Sequence, residues 1–155
     1  MSHATLSAPR ALVALVLGIA AMPANAADCK AVHAELIEMG ATTECDPGEA
    51  SCFIGVVQGN HGLVGTTHFM ADSWTTPIPT SPGSFPYSGL FEYRLAGGTL
   101  LMRETGVTVP GIVTAHHRIQ SATGDFEGAT GDFFVYGTRA NGVITTRVDG
   151  NLCFD

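Results

Sequence analysis

From Cys52 onward the chain is a succession of strand-like runs cut by turn sequences, and this punctuation constrains the fold more than any other feature. Runs at 52–58, 63–73, 89–96, 99–109, 111–121, 126–138 and 142–154 carry Val, Ile, Thr, Phe and Tyr alternating with polar residues. That is the period of a half-buried strand. Between them stand Gly59-Asn60-His61-Gly62, Gly97-Gly98, Pro110-Gly111, Thr123-Gly124-Asp125 and Asn141-Gly142. Asn-Gly between such runs specifies a two-residue hairpin. The stretch 30–39 reads either way. Its Val32, Leu36 and Met39 recur at helical spacing, while Ala34 and Leu36 fit a strand, and we take it as a strand. The expected fold is therefore all-β: a closed antiparallel up-and-down β-barrel of about eight strands. Closure hides the two sheet edges that an open meander would expose. A β-sandwich is the alternative.

The N-terminus has a different character. Arg10 precedes an apolar run at 11–21, and Ala24-Asn25-Ala26 follows. A positive start, a short apolar stretch and a small-x-small end describe a secretory signal peptide. The run is too short to span a bilayer, which needs about 20 apolar residues. The expected organisation is a signal at 1–26 and one barrel domain at 27–155, secreted or periplasmic and not inserted in a membrane after cleavage. Removing Arg10 from the seven Lys+Arg leaves six against fourteen Asp+Glu. Lys30 is the sole lysine, and no basic run occurs. Nucleic acid and anionic membrane surfaces are thereby excluded as expected partners, since both need clustered cations.

Four cysteines remain after cleavage: Cys29, Cys45, Cys52 and Cys153. An even number in an oxidising compartment predicts two disulfides. Three pairings exist. The favoured one joins Cys45 to Cys52 across the turn sequence Asp46-Pro47-Gly48, leaving Cys29 with Cys153, as a closing barrel would place them. Paired C-x-x-C spacing is absent, as are H-x-H and H-E-x-x-H spacings, so no metal site is expected.

The stretch 75–88 contains four prolines and no periodicity. It reads as a long loop, of the kind that serves as a lid or binding loop or simply as a surface connection.

Alternate residues of a barrel strand point inward, so the more apolar alternate set marks the interior. In 111–121 this set is Val113, Ala115, His117 and Ile119; in 89–96 it is Phe91, Tyr93 and Leu95. In 99–109, Leu100, Met102 and Glu104 compete with Leu101, Arg103 and Thr105. In 63–73, the set with His68 and Met70 competes with the set containing Phe69 and Ala71. The interior so drawn is apolar, with His68, Tyr93, Glu104 and His117 as polar intruders. Such a lining suits a small organic ligand. Glu104 and His117 are the candidate catalytic pair, because a buried carboxylate beside an imidazole can do acid–base work. His68, Tyr93 and Met102 are the candidate ligand contacts. The competing reading of each is a hydrogen-bonded or packed core residue. His116, adjacent to His117, falls on the opposite face. Motifs for a serine hydrolase or a nucleotide cofactor are missing, and no cofactor is implied.

Within 121–131, Gly124-Asp125-Phe126-Glu127-Gly128-Ala129-Thr130-Gly131 forms a G-x-F-x-G-A-x-G string followed by an aromatic strand. This resembles the allene oxide cyclase barrel-like superfamily, which includes the dirigent proteins. The resemblance spans about 50–154 and is sharp only in 121–137. It implies an eight-stranded barrel with an apolar pocket, often oligomeric, that steers reactive intermediates through cyclisation or coupling. No catalytic residue of that group maps onto this chain by motif. The expected function is an exported barrel that binds a small hydrophobic molecule and guides its cyclisation or isomerisation. A lipocalin-like carrier and a structural or interaction protein are the alternatives.

Overall fold

The structure is a computed structural model that describes residues 28–41, 43–45 and 51–154. The signal segment and the Asp46-Pro47-Gly48 turn lie outside the described residues. Eight strands follow one another: β1 (Asp28–Gly40), β2 (Ser51–Gly59), β3 (Val64–Trp74), β4 (Phe85–Leu95), β5 (Gly98–Val109), β6 (Ile112–Ala122), β7 (Thr130–Ala140) and β8 (Val143–Phe154). Each pairs antiparallel with the next, and β8 pairs with β1, which closes the barrel. The seam runs from Asp28 opposite Phe154 to Met39 opposite Val143. Closure gives the outermost strands a ladder partner and leaves no edge to template aggregation. Among the described residues no helix is long and apolar enough to cross a membrane.

The seam also carries a covalent bond. Cys29 and Cys153 face each other in register and are joined. The second disulfide joins Cys45 to Cys52. Both favoured pairings are those of the structure.

The interior corrects one expectation. Eight strands enclose a space that side chains can fill, and here they largely do. Leu36, Phe91, Tyr93, Leu100, Met102 and Phe133 are each essentially inaccessible and belong to one continuous core. In place of an interior lining open to a small organic ligand, the structure has a packed barrel with a small cavity near one end.

The two ends differ. The lower end holds the β2–β3, β4–β5 and β6–β7 connections, and it is closed by buried Leu63, Phe126 and Ala129. Asn60 extends the β1–β2 contact beside them: its side chain accepts from the His33 N–H at 2.9 Å and donates to the Ala31 carbonyl at 2.9 Å. These β1 groups lie beyond the last β1–β2 pair, Ala34 with Gly59, and would otherwise lack partners.

The G-x-F-x-G-A-x-G string forms much of this closure. The strand expected at 126–138 begins only at Thr130, after a single 3-10 turn, Gly124–Phe126. Gly124 and Gly128 take positive φ (64° and 77°), which interrupts the ladder and lets Phe126 turn into the core. Gly131 has φ 135°, and a Cβ there would stand 2.1 Å from the Asn151 carbonyl oxygen. Gly131→Ala therefore meets both backbone strain and a main-chain clash. We expect it to destabilise the barrel by about 2 kcal/mol, seen as a lower urea midpoint at unchanged slope. An unchanged midpoint would contradict the close approach of β7 to β8.

The proline segment also ends earlier than expected. The loop covers 75–84, and β4 starts at Phe85 rather than near 89. Pro86 sits second in the strand, near its end, where a missing N–H matters least. The loop folds on itself through Ile78 N–H to the Ser84 carbonyl at 3.0 Å and a 2.6 Å hydrogen bond between the Ser81 and Ser84 hydroxyls.

Candidate functional site

The cavity lies toward the upper end, where the β1–β2, β3–β4, β5–β6 and β7–β8 connections gather. Its volume is about 30 Å³, enough for about two water molecules. Pockets that enclose a drug-sized ligand measure roughly 300–1,000 Å³, so this one can receive a polar head group but not a whole molecule. Glu38, Tyr87, Glu104 and His117 supply its acid–base groups. Phe53, Phe69, Val113, Val135 and Ile144 supply apolar wall, with Ser51, Thr108 and Arg139 completing the lining.

The four acid–base groups come from four strands, and each arrives by the alternation of its strand. On β5, Leu100, Met102 and Glu104 face inward; on β6, Val113, Ala115 and His117 do. Glu104 and His117 are register partners, so their side chains share the inner face. Glu104 Oε2 lies 3.2 Å from His117 Nε2, although the two are not aligned as a hydrogen bond. On the far side of the ring, Tyr93 O–H and His117 Nδ1 are 3.0 Å apart. Tyr93 donating to Nδ1 leaves the ring hydrogen on Nε2, on the side of the Glu104 carboxyl group. His117 also packs against Phe91, with ring centroids 4.4 Å apart and the planes tilted by 38°. The expected Glu104–His117 pair is thus brought together and buried.

Two members of the cluster were not anticipated. Glu38 is buried on β1, in the same alternate set as Val32, Ala34 and Leu36. Extending that set by one step in the sequence would have found it. Tyr87 was hidden by the prolines around it. In β4 it points inward and donates to Glu104 Oε1 at 2.8 Å. Its ring lies over Gly106, where a Cβ would come within 2.6 Å of the phenol; the bare backbone at 106 is what makes room for it.

The remaining expected contacts fall elsewhere. His68 does not face the interior. The inner set of β3 is Thr67, Phe69 and Ala71, and His68 is on the outer face, buried beneath other groups. Its alternate set was balanced in hydrophobicity, and the structure resolves the choice against it. Met102 is inward but packed in the core, off the cavity wall, and Tyr93 reaches the cavity only through His117.

Electrostatics make three members of the cluster proton holders. Burial, then the charge of Glu104, push the Glu38 carboxyl up to about 8, so it keeps its proton near neutrality. Burial and then the neighbouring carboxylates raise both phenols, Tyr87 and Tyr93. Each stays a donor throughout the physiological range. The cavity therefore presents a protonated carboxyl and a phenol beside a second carboxyl group, Glu104, which accepts from Tyr87, a combination suited to moving a proton from one atom of a bound molecule to another.

No protein-family model matches the chain, and no curated protein matches it either.

Proposed function

We propose that this is an exported barrel of the allene oxide cyclase-like group that takes a small hydrophobic molecule at its upper mouth and guides its isomerisation or cyclisation. The carrying observation is the buried Glu38–Glu104 pair at a cavity sized for a head group. A carbonyl or hydroxyl of the bound molecule would occupy the cavity. Its apolar body would rest on Phe53, Val113 and Ile144 nearer the rim. Glu104 would take a proton from carbon or oxygen, and Glu38 would return one. Tyr87 holds the Glu104 carboxyl group in place through its O–H, and His117, steadied by Tyr93, lies beside the other carboxyl oxygen. No cofactor is required for such a step. The two disulfides support export.

The test starts with native mass spectrometry of the protein purified from its source. A bound small molecule is expected, and Val113→Trp, which fills the cavity, should lose it. Glu104→Gln should retain the molecule but lower its conversion about a hundredfold. Retention with unchanged conversion would make the protein a carrier.

A second reading has its own observation. Ile112, Phe134 and Tyr136 expose apolar surface on the adjacent outer faces of β6 and β7, Phe134 by 61%. This favours a homo-oligomer or interaction protein. A multimeric mass with no small molecule in the same spectrum would decide for it.

A further inference from the structure

The outer wall carries a second cluster of reactive side chains: the Cys45–Cys52 disulfide, His68 and Arg94. Cys52 on β2 and His68 on β3 both face outward, and Cys52 Sγ lies 3.3 Å from His68 Nε2. His68 is only 3% exposed, so the contact is shielded from water. On the opposite side of the ring, Arg94 Nη2 lies 3.3 Å from His68 Nδ1. A guanidinium has donors and no acceptor. Nδ1 must therefore accept, and the hydrogen of the neutral ring sits on Nε2, toward the sulfur. The donor atoms of Cys45, Cys52 and His68 lie within 4.8 Å of one another, a spacing that a metal ion could use. The tautomer set by Arg94 argues against that use, because it removes the Nε2 lone pair a metal would need.

The two sulfurs differ in their surroundings. Cys45 is partly exposed and Cys52 is buried. Cys45 Sγ has the carbonyl oxygens of Ala41 and Thr43 at 3.5 Å, which disfavour negative charge on it. Cys52 Sγ faces an N–H donor backed by a guanidinium, which favours negative charge there. Arg94 is itself held by Glu92 at 2.7 Å and Glu44 at 3.0 Å.

We propose that Cys45–Cys52 is a thiol–disulfide exchange site of fixed polarity, in which a low-molecular-weight thiol attacks Cys45 and Cys52 is the leaving group. The thiolate of the attacking molecule bonds to Cys45 Sγ as the Cys45–Cys52 bond breaks. The bonding pair goes to Cys52 Sγ, which leaves as a thiolate hydrogen-bonded by His68 Nε2–H. One disulfide is exchanged for another, with no net oxidation. A second thiolate of the same kind then attacks the mixed disulfide, releases Cys45 and completes reduction at the expense of two external thiols. Both access to the attacked sulfur and stabilisation of the departing one set such rates, and here they point in the same direction.

The experiment uses reduced glutathione on the full oxidised protein, with timed acid quench, alkylation and peptide mapping. Glutathione is expected on Cys45 and the alkyl label on Cys52. The rate of opening of Cys29–Cys153 in the same tube serves as reference. His68→Phe should lower the ratio of the two rates about tenfold, the effect of one hydrogen bond to a charged group. His68→Gln, whose amide can donate to the sulfur, should restore most of it. An adduct mainly on Cys52, no adduct at all, or a ratio unchanged in His68→Phe would overturn the proposal. The adduct position is read on the unsubstituted protein, so it stands even if a variant fails to fold.

Discussion

Glu38→Gln is expected to make the barrel more stable at neutral pH, by about 3 kcal/mol at pH 7. The cause is the mismatch between the two states of this carboxyl. In the unfolded chain it titrates near 4.5, and in the folded barrel it titrates at about 8. Between those values the folded protein holds a proton that the unfolded chain has released. Stability must therefore fall as pH rises through that window, by about 1.4 kcal/mol per pH unit, and level off above it. Gln has the same shape and no proton to lose, so the variant should show a flat profile where the parent slopes downward. The measurement is the urea midpoint at half-unit steps from pH 4.5 to 9. A parent profile that rises with pH over this range would show that Glu38 is ionised in the folded state. The acid–base reading of the cavity would then lose its proton donor.

Removing the seam disulfide, as Cys29→Ser with Cys153→Ser, is expected to cost about 4–5 kcal/mol. The bond closes a loop with a sequence separation of 124 residues, whereas Cys45–Cys52 closes one of seven. In the chain-entropy account the longer closure restricts the unfolded chain more, and the short one contributes only about 2 kcal/mol. The comparison of the two double variants is thus a test of topology. Both keep the same number of bridges, and only the loop length differs. Equal losses of stability, or a larger loss on removing Cys45–Cys52, would contradict the account.

Much of the barrel was legible because its signals were local. The turns at Asn141-Gly142 and Pro110-Gly111 and the alternation in 111–121 needed no long-range information. They placed His117 inward and His116 outward, as found. The errors arose where the local signal was balanced or misleading. In β3 the two alternate sets are almost equally apolar, and a register shift between Ala71 and Ser73 perturbs the strand further; this put His68 on the wrong face. Prolines hid Tyr87, because one near a strand end looks the same in sequence as one in a loop. Glu38 was overlooked because a carboxylate looks like a surface residue, although its set was otherwise apolar. The filled interior was beyond reach, since cavity size depends on how rotamers from eight strands interdigitate. The chemistry of Cys52 and His68 depended in turn on Arg94, a residue 26 positions from the ring it orients.

The plug formed by Leu63, Phe126 and Ala129 has a consequence for traffic. With the base plugged and the middle of the barrel packed, the small cavity opens only toward the upper rim, so whatever enters to reach Glu104 must back out the same way. Arrival and departure cannot overlap. Under the proposed function, a converted molecule that lingers would bar the next one, and product and substrate would compete for that one opening.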